Sequence, residues 1–252
     1  MSNLPNSKYL ITLKETMSIM NQAVNNNDKL FITALNINIL HKINHDVEFD
    51  NLFSQFDKIS FDGYYSIIWA KAVGIEQTIK QISADILMKE IFSQAEDKKW
   101  SICALGGSHS TEQEFTKQVN QSYPNVDISY HHHGYFTKDE EEHVINEINH
   151  FSPDILMVGL SVPKEHQWCI RNKSRLNAKI ILTCGGYIEQ TSEYGVDYYP
   201  SHWIYKLHIN WIYRIINEPS RLWKRYFFQG LWLLYWLPWQ FIQARLFKKN
   251  LL

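Results

Sequence analysis

An aspartate-glycine pair follows the end of an apolar run, and its carboxylate has the chemistry of a general base. Asp62 and Gly63 come directly after the run DKISF at residues 57–61. The carboxyl ends of parallel strands border the ligand crevice, so a carboxylate at this point is well placed for catalysis. Asp-Gly is also a common turn sequence, and a turn alone would explain both residues. On the residues alone both interpretations stay open.

Two further motifs have the residue types of anion or metal sites. Gly106, Gly107 and Ser108 follow another apolar run, and backbone amides at the start of a helix can bind phosphate. A tight strand-to-helix turn explains the same residues equally well. Three histidines at positions 131–133 have the chemistry of metal ligands, but neighbours on an extended strand point to alternate faces. Since no second set of ligands is apparent, the sequence predicts no metal and no cofactor.

Basic side chains cluster near the C-terminus. Arg214, Arg221 and Arg225 are seven and four residues apart, so they would share one face of an unbroken helix, with Lys224 beside them. Pro219 is expected to begin a new helix there. Guanidinium groups suit a diphosphate because they offer paired donors that stay charged. Attraction to anionic lipid explains the same cluster without a substrate, and the two roles are compatible.

Short apolar runs alternate with helical patterns and predict the elements that position these residues. The strands are expected at residues 29–35, 57–61, 100–105, 126–130, 154–160 and 178–184. They are apolar on both faces, as buried parallel strands are. Helical spacing occurs between them, for example at residues 84–93, 111–121 and 139–150. The alternation predicts an α/β fold, a Rossmann-like and mostly parallel sheet flanked by helices.

The pattern changes after residue 200, where the sequence predicts helix. The run YFFQGLWLLYWLPWQFIQA at residues 226–244 carries no charge and has basic residues on both sides. Its 19 residues could just cross a hydrocarbon layer of about 30 Å. Its Trp, Tyr and Gln content favours a helix lying in the membrane interface, and a helix packed on the core is the alternative. We expect a core at residues 1–200 and a helical, membrane-associating appendage at residues 201–252.

The overall composition excludes some classes of protein. A net charge of −1 over 252 residues gives no reason to expect nucleic-acid binding. Cys103, Cys169 and Cys184 are far apart, which is typical of reduced thiols in the cytosol. The N-terminus has no basic stretch followed by an apolar run, so we expect no signal peptide and a cytoplasmic location.

An ordered set of stretches resembles the WecB/TagA/CpsF family, glycosyltransferase family 26. They are FITALNIN, ISFDGYYSIIWAKAVG, IKQISADI, ICALGGS, HHGYF, PDILMVGLSVPKEHQW, CGGYIEQ and YYPSHWIYKLHINWIYRIINEPSRLWKRY. The resemblance covers about residues 29–226 and implies an inverting transfer without a metal. A hexose or N-acetylhexosamine would pass from a UDP-sugar to a polyprenyl-diphosphate-linked acceptor in bacterial surface polysaccharide synthesis. It also implies a membrane-touching C-terminal appendage, so we expect a peripheral enzyme at the cytoplasmic face of the inner membrane.

The resemblance also implies residue roles. The family's aspartate base falls on Asp62, and its diphosphate-binding basic residues fall on Arg214, Arg221 and Arg225. The other expected substrate-binding residues are Thr33, Asn36, Lys80, Asp85, Gly106, Lys164 and Glu165. Lys80 stands where the family usually has arginine.

Several positions depart from the family pattern. The usual Pro-Lys-Gln-Glu ends here in Glu165 and His166, and Tyr198 and Asn210 replace an arginine and a glutamate. Because Asp62 is kept, we interpret these changes as altered sugar specificity. The alternative is a non-catalytic nucleotide-sugar-binding subunit of a polysaccharide assembly complex. A dinucleotide oxidoreductase is set aside, because FITALNIN stands where a G-x-G-x-x-G would be needed.

Overall fold

Seven parallel strands form one sheet in a computed structural model of the chain, which describes residues 6–10, 12–73, 75, 79–197, 210–217 and 219–247. The strands are β1 (Tyr9–Leu10), β2 (Leu30–Leu35), β3 (Lys58–Phe61), β4 (Ser101–Gly106), β5 (Asp127–His132), β6 (Ile155–Gly159) and β7 (Ile180–Thr183). Their order across the sheet is β1-β3-β2-β7-β6-β4-β5. The predicted Rossmann-like α/β fold is confirmed.

All six predicted strands are present, and two details differ from the expectation. β1 was not predicted, because its two residues, which pair with β3, are too few to show a periodic pattern. β5 is half-exposed although it was expected to be buried on both faces, because it is the edge strand and has only β4 beside it. The central strands β2, β6 and β7 are buried almost throughout.

Helices cover the sheet. They are α1 (Leu13–Asn26), α2 (Ile37–His45), α3 (Val47–Phe53), α4 (Tyr64–Ala72), α5 (Ala84–Lys98), α6 (Thr111–Ser122), α7 (Lys138–Phe151), α8 (Lys164–Arg171), α9 (Tyr187–Tyr194), α10 (Asn210–Asn217) and α11 (Pro219–Phe247). The three helices predicted between the strands are confirmed as α5, α6 and α7. Thr137 and Glu140 form a reciprocal capping box that fixes the start of α7.

The chain changes direction at the centre of the sheet. It leaves β2 through α2 and α3 toward β3, whereas it leaves β7 into α9, which packs on the other side against α6 and β4. The loops after β2 and β7 therefore diverge and open a crevice between them. This is the topological switch point at which open α/β sheets bind their ligands.

The C-terminal helix contacts the core through one face. Pro219 is its first residue, as predicted. Trp232 and Leu233 are buried in a cluster with side chains of α2 and α4, and Leu222 is also buried. Gln229 Nε2 donates to Asn38 Oδ1 of α2 at 2.7 Å. Among the described helices, none combines the length and apolar character needed to cross a membrane.

Candidate active site

Two adjoining cavities lie at the carboxyl ends of the strands. The smaller, of about 190 Å³, is lined by the ends of β2, β3 and β7 and by the loop after β6. The larger, of about 430 Å³, is lined by the loops after β4, β5, β6 and β7. Ser161, Val162, Gly185, Gly186 and Gln190 border both. The cavities therefore form one continuous site at the predicted edge of the sheet.

Asp62 lines the smaller cavity at the end of β3. Its backbone N–H donates to the Leu35 carbonyl at 3.0 Å, which extends the pairing between β3 and β2 by one residue. Its own carbonyl accepts the Ser66 hydroxyl of α4 at 3.1 Å. The backbone is thus held on both sides, and the half-buried side chain lies at the crevice, as a general base requires.

Asn36 lines the same cavity and also caps a helix. Its Oδ1 accepts the Ile39 N–H at 3.1 Å, so the side chain fixes the start of α2. Asn38, on the same helix, borders the cavity as well and is bonded to Gln229 of α11. The cavity wall and the C-terminal helix are therefore directly linked.

Glu165 and His166 belong to a buried polar network at the floor of the smaller cavity and beneath it. Glu165 lines the smaller cavity and its Oε2 accepts the Gly185 N–H at 3.0 Å. His166 Nε2 is 2.9 Å from Thr33 Oγ1, which is 2.8 Å from Thr183 Oγ1. Thr33 is thus inside the protein, beneath the cavity, rather than in its lining. This network joins β2, β7 and α8 below the site.

Glu165 and His166 are both neutral near pH 7. Burial raises the pKa of Glu165 to about 8 and lowers the pKa of His166 to about 3. The 3.7 Å between His166 Nδ1 and Glu165 Oε1 would suit an ion pair, but burial penalises both charges. His166 lies among the rings of Phe49, Phe53 and Phe56, which explains its desolvation.

We expect Glu165→Gln to remove a pH dependence of stability. Between about pH 4.3 and pH 8 the unfolded chain loses the Glu165 proton while the folded chain keeps it, so the wild type loses stability as pH rises. The advantage of Glu165→Gln should therefore grow with pH by at most about 1.4 kcal/mol per unit. Urea unfolding of both proteins at pH 5, 6, 7 and 8 measures it. Parallel curves would mean that Glu165 is ionised in the folded protein.

Asp85 and Lys80 do not line either cavity. Asp85 is buried in the first turn of α5, and burial raises its pKa although Ser83 and Lys89 partly oppose the shift. Its neighbour Ala84 borders the smaller cavity. Lys80 is exposed on the segment between α4 and α5. The structure therefore places Asp85 behind the cavity wall and Lys80 at the surface.

The glycine-serine turn after β4 contributes to the larger cavity through Gly107. Gly106 is instead packed against β6, because a Cβ there would lie 2.5 Å from the Gly159 carbonyl oxygen. The Ser108 N–H donates to Glu189 Oε2 at 3.0 Å. One of the amides that the sequence suggested for phosphate is therefore already bonded to a carboxylate.

The structure describes the side chains of only some of the basic residues in the predicted site. Lys164, the first residue of α8, is exposed and lines the larger cavity. The backbones of Arg214, Arg221 and Arg225 lie in α10 and α11, but their side chains are outside the described residues. Tyr198 also lies outside the described residues.

The loop after β7 was missed as part of the site. Gly185, Gly186 and Gln190 border both cavities, although their stretch CGGYIEQ was used only for the family resemblance and no site role was predicted for these residues. The glycine pair comes directly after a buried strand. The rule that singled out Asp62, that ligands bind beyond the carboxyl ends of parallel strands, would therefore have identified this loop as well. Ser161 was missed as well, and its φ of 65° marks a strained position of the kind that gathers at functional sites.

Comparisons with known proteins agree on one activity class. Residues 5–249 match the model described as the glycosyl transferase WecG/TagA/CpsF family. A Shigella boydii protein named UDP-Gal:alpha-D-GlcNAc-diphosphoundecaprenol beta-1,4-galactosyltransferase is 30% identical over 168 residues, 66% of this chain and 70% of that protein. A Staphylococcus aureus (strain MRSA252) protein named N-acetylglucosaminyldiphosphoundecaprenol N-acetyl-beta-D-mannosaminyltransferase is 28% identical over 205 residues, 81% of this chain and 76% of that protein. The two names share an acceptor and differ in the sugar transferred.

Proposed function

Because the chain belongs to the WecG/TagA/CpsF family of glycosyltransferases, we propose that it moves a hexose or N-acetylhexosamine from a UDP-sugar to a polyprenyl-diphosphate-linked acceptor. The transfer inverts the anomeric carbon and serves bacterial surface polysaccharide synthesis. The observation that carries this proposal is the position of Asp62, at the end of β3 and in the lining of the cavity at the switch point. A sugar acceptor held there would present its hydroxyl to a fixed carboxylate.

Asp62 acts as the general base. It takes the proton of the acceptor hydroxyl while that oxygen forms a bond to the anomeric carbon of the donor sugar. The bond between this carbon and the UDP oxygen breaks, and its electron pair leaves with UDP. Attack from the side opposite the UDP inverts the configuration. The β-linkages in the names of both relatives agree with inversion of an α-linked UDP-sugar.

Positive charge is needed where the diphosphate leaves. We assign the larger cavity to the nucleotide of the donor, and Lys164 borders this cavity. Arg214, Arg221 and Arg225 are our candidates for the remaining cations, because guanidinium groups bind phosphate oxygens in pairs. A preorganised contact of this type typically stabilises a transition state by about 2.7–4 kcal/mol.

Glu165 acts on the donor side in its neutral form. A protonated carboxyl group offers one donor and one acceptor, as the glutamine usual in the family does. The high pKa of Glu165, caused by burial, keeps this form at neutral pH. We therefore assign the change to sugar selection rather than to loss of activity.

The exposed face of α11 attaches the enzyme to the cytoplasmic surface of the inner membrane. Its large exposed apolar side chains are Trp223, Phe227, Phe228, Leu231, Leu234, Tyr235, Trp239 and Ile242. A continuous apolar surface of this kind on a folded protein indicates an interaction site. Aromatic side chains with basic flanks suit the headgroup layer. The bond between Gln229 and Asn38 keeps this helix beside the cavity, where a lipid-borne acceptor must arrive.

A panel of UDP-sugars tests the proposed reaction. The purified chain is incubated with UDP-galactose, UDP-glucose or UDP-N-acetylhexosamines and a short-chain polyprenyl diphosphate carrying N-acetylglucosamine. We expect UDP release with one donor only when the acceptor is present, and a β-linked product by NMR. Donor binding without turnover would favour the non-catalytic subunit, and an α-linked product would contradict inversion.

A further inference from the structure

A carboxylate and two imidazoles meet at the carboxyl end of the edge strand β5, several strands away from β3 and Asp62. Glu112, His132 and His133 each place one nitrogen or oxygen ligand atom within 4.8 Å of the others. His132 ends β5, and Glu112 lies in the first turn of α6. The sequence showed only the three adjacent histidines, so the tertiary structure supplies the missing ligand. His133 lies beyond the strand, and strand alternation therefore does not separate it from His132.

Hydrogen bonds fix the cluster in an arrangement that favours ligation. His132 Nδ1 is 2.7 Å from the His133 carbonyl, which can only accept, so Nδ1 carries the proton and Nε2 keeps its lone pair. An imidazole held in this way by a backbone carbonyl is the usual form of a metal-binding histidine. Glu112 Oε1 accepts the His133 N–H at 2.7 Å, which holds the carboxylate beside both rings.

The third histidine of the run has a different role. His131 Nδ1 and Nε2 are 3.0 Å and 3.1 Å from the carbonyls of Glu112 and Gly106, so both its nitrogens are occupied by backbone. Another histidine lies beside the cluster, next to His133. The His109 ring, on the turn after β4, lies 3.5 Å from the His133 ring between centroids.

We propose that Glu112, His132 and His133 bind a divalent transition metal ion of the zinc class, with His109 or water in the fourth position. Two imidazole nitrogens and a carboxylate oxygen are a ligand set that Zn²⁺ takes in proteins. In the structure His133 Nδ1 accepts the Tyr135 N–H at 3.1 Å, and a metal ion bound at this nitrogen would displace that hydrogen bond. This proposal is independent of the transfer reaction, which needs no step at the metal.

The ion would brace one wall of the larger cavity. The Gly134 N–H donates to the Gly107 carbonyl at 2.9 Å, and both residues line that cavity. Gly134 directly follows the ligand His133, and Gly107 lies on the turn that leads through His109 to Glu112. A metal ion bound by residues of both segments would therefore hold the two loops together. The proposed role is structural, because the ligands come from two separate segments of the cavity wall.

Zinc binding to the full chain tests the site. Protein stripped with a chelator is titrated with Zn²⁺ against a chromophoric competitor, and retained zinc is counted by mass spectrometry after desalting. We expect about one tightly bound equivalent in the wild type and at least about tenfold weaker binding in His132→Gln and Glu112→Gln. His143→Gln, an exposed histidine of α7, is the matched control and should bind as the wild type does.

Two further measurements keep the outcome clear. Circular dichroism of each variant reports folding, and Glu112→Gln keeps the shape and the acceptor for the His133 N–H. Visible absorption of Co²⁺ bound in place of zinc reports nitrogen and oxygen ligation and should vanish in His132→Gln. Wild-type zinc affinity in both folded variants would overturn the proposal, as would absence of tight zinc binding in the wild type.

Discussion

Asp62→Asn is expected to lower the transfer rate by about 10²–10⁴-fold, the usual contribution of a general base. The amide keeps the shape of the carboxylate but cannot accept the proton of the acceptor hydroxyl. The backbone hydrogen bonds of Asp62 to Leu35 and Ser66 are available to asparagine as well, and circular dichroism checks that the variant folds. Initial rates of UDP release, with the donor identified by the panel, measure the effect.

Two controls separate catalysis from binding and folding. Donor affinity of Asp62→Asn should stay within a few-fold of the wild type, because the proposed role of Asp62 is to deprotonate the acceptor. Asp139→Asn changes an exposed aspartate in the first turn of α7, away from both cavities, and should transfer at the wild-type rate. Turnover close to wild type in Asp62→Asn would contradict the mechanism.

Replacing Phe227, Leu234, Tyr235 and Trp239 together by glutamine is expected to abolish most vesicle binding. These four side chains are all more than half exposed on α11, so their removal leaves the packed face intact. Even about 0.7 kcal/mol from each, well below full burial, amounts to about a 100-fold lower partition coefficient. Sedimentation with vesicles of anionic lipid measures it. We expect salt to release the wild type only in part, because aromatic insertion is insensitive to screening.

Substitution is a sharper test here than truncation. Removing the chain from residue 226 onward would uncover the core surface that Trp232 and Leu233 bury and would break the Gln229 bond to Asn38. Val47→Gln, on a strongly exposed apolar residue of α3, is the control and should bind vesicles as the wild type does. Undiminished binding by the folded fourfold variant would overturn the assignment of α11.

Local patterns determined much of the architecture. The six long strands were predictable because central parallel strands are buried on both faces and must be apolar throughout. The start of α11 followed from Pro219, whose fixed φ suits a first helical residue. The position of Asp62 followed from one rule, that ligands gather beyond the carboxyl ends of parallel strands, and the ordered family stretches gave the activity class.

Tertiary structure decided everything that depends on distant residues meeting. The charge-free run at residues 226–244 could not reveal that one of its faces packs on α2 and α4, because helical periodicity does not name a partner. Glu165 and His166 look like surface residues in sequence, and only the burial of His166 among the rings of Phe49, Phe53 and Phe56 lowers its pKa. Glu112 and His133 are 21 residues apart, and they meet only because the start of α6 lies beside the end of β5. Desolvation and ligand geometry are properties of contacts, and the sequence by itself contains the residues but not the contacts.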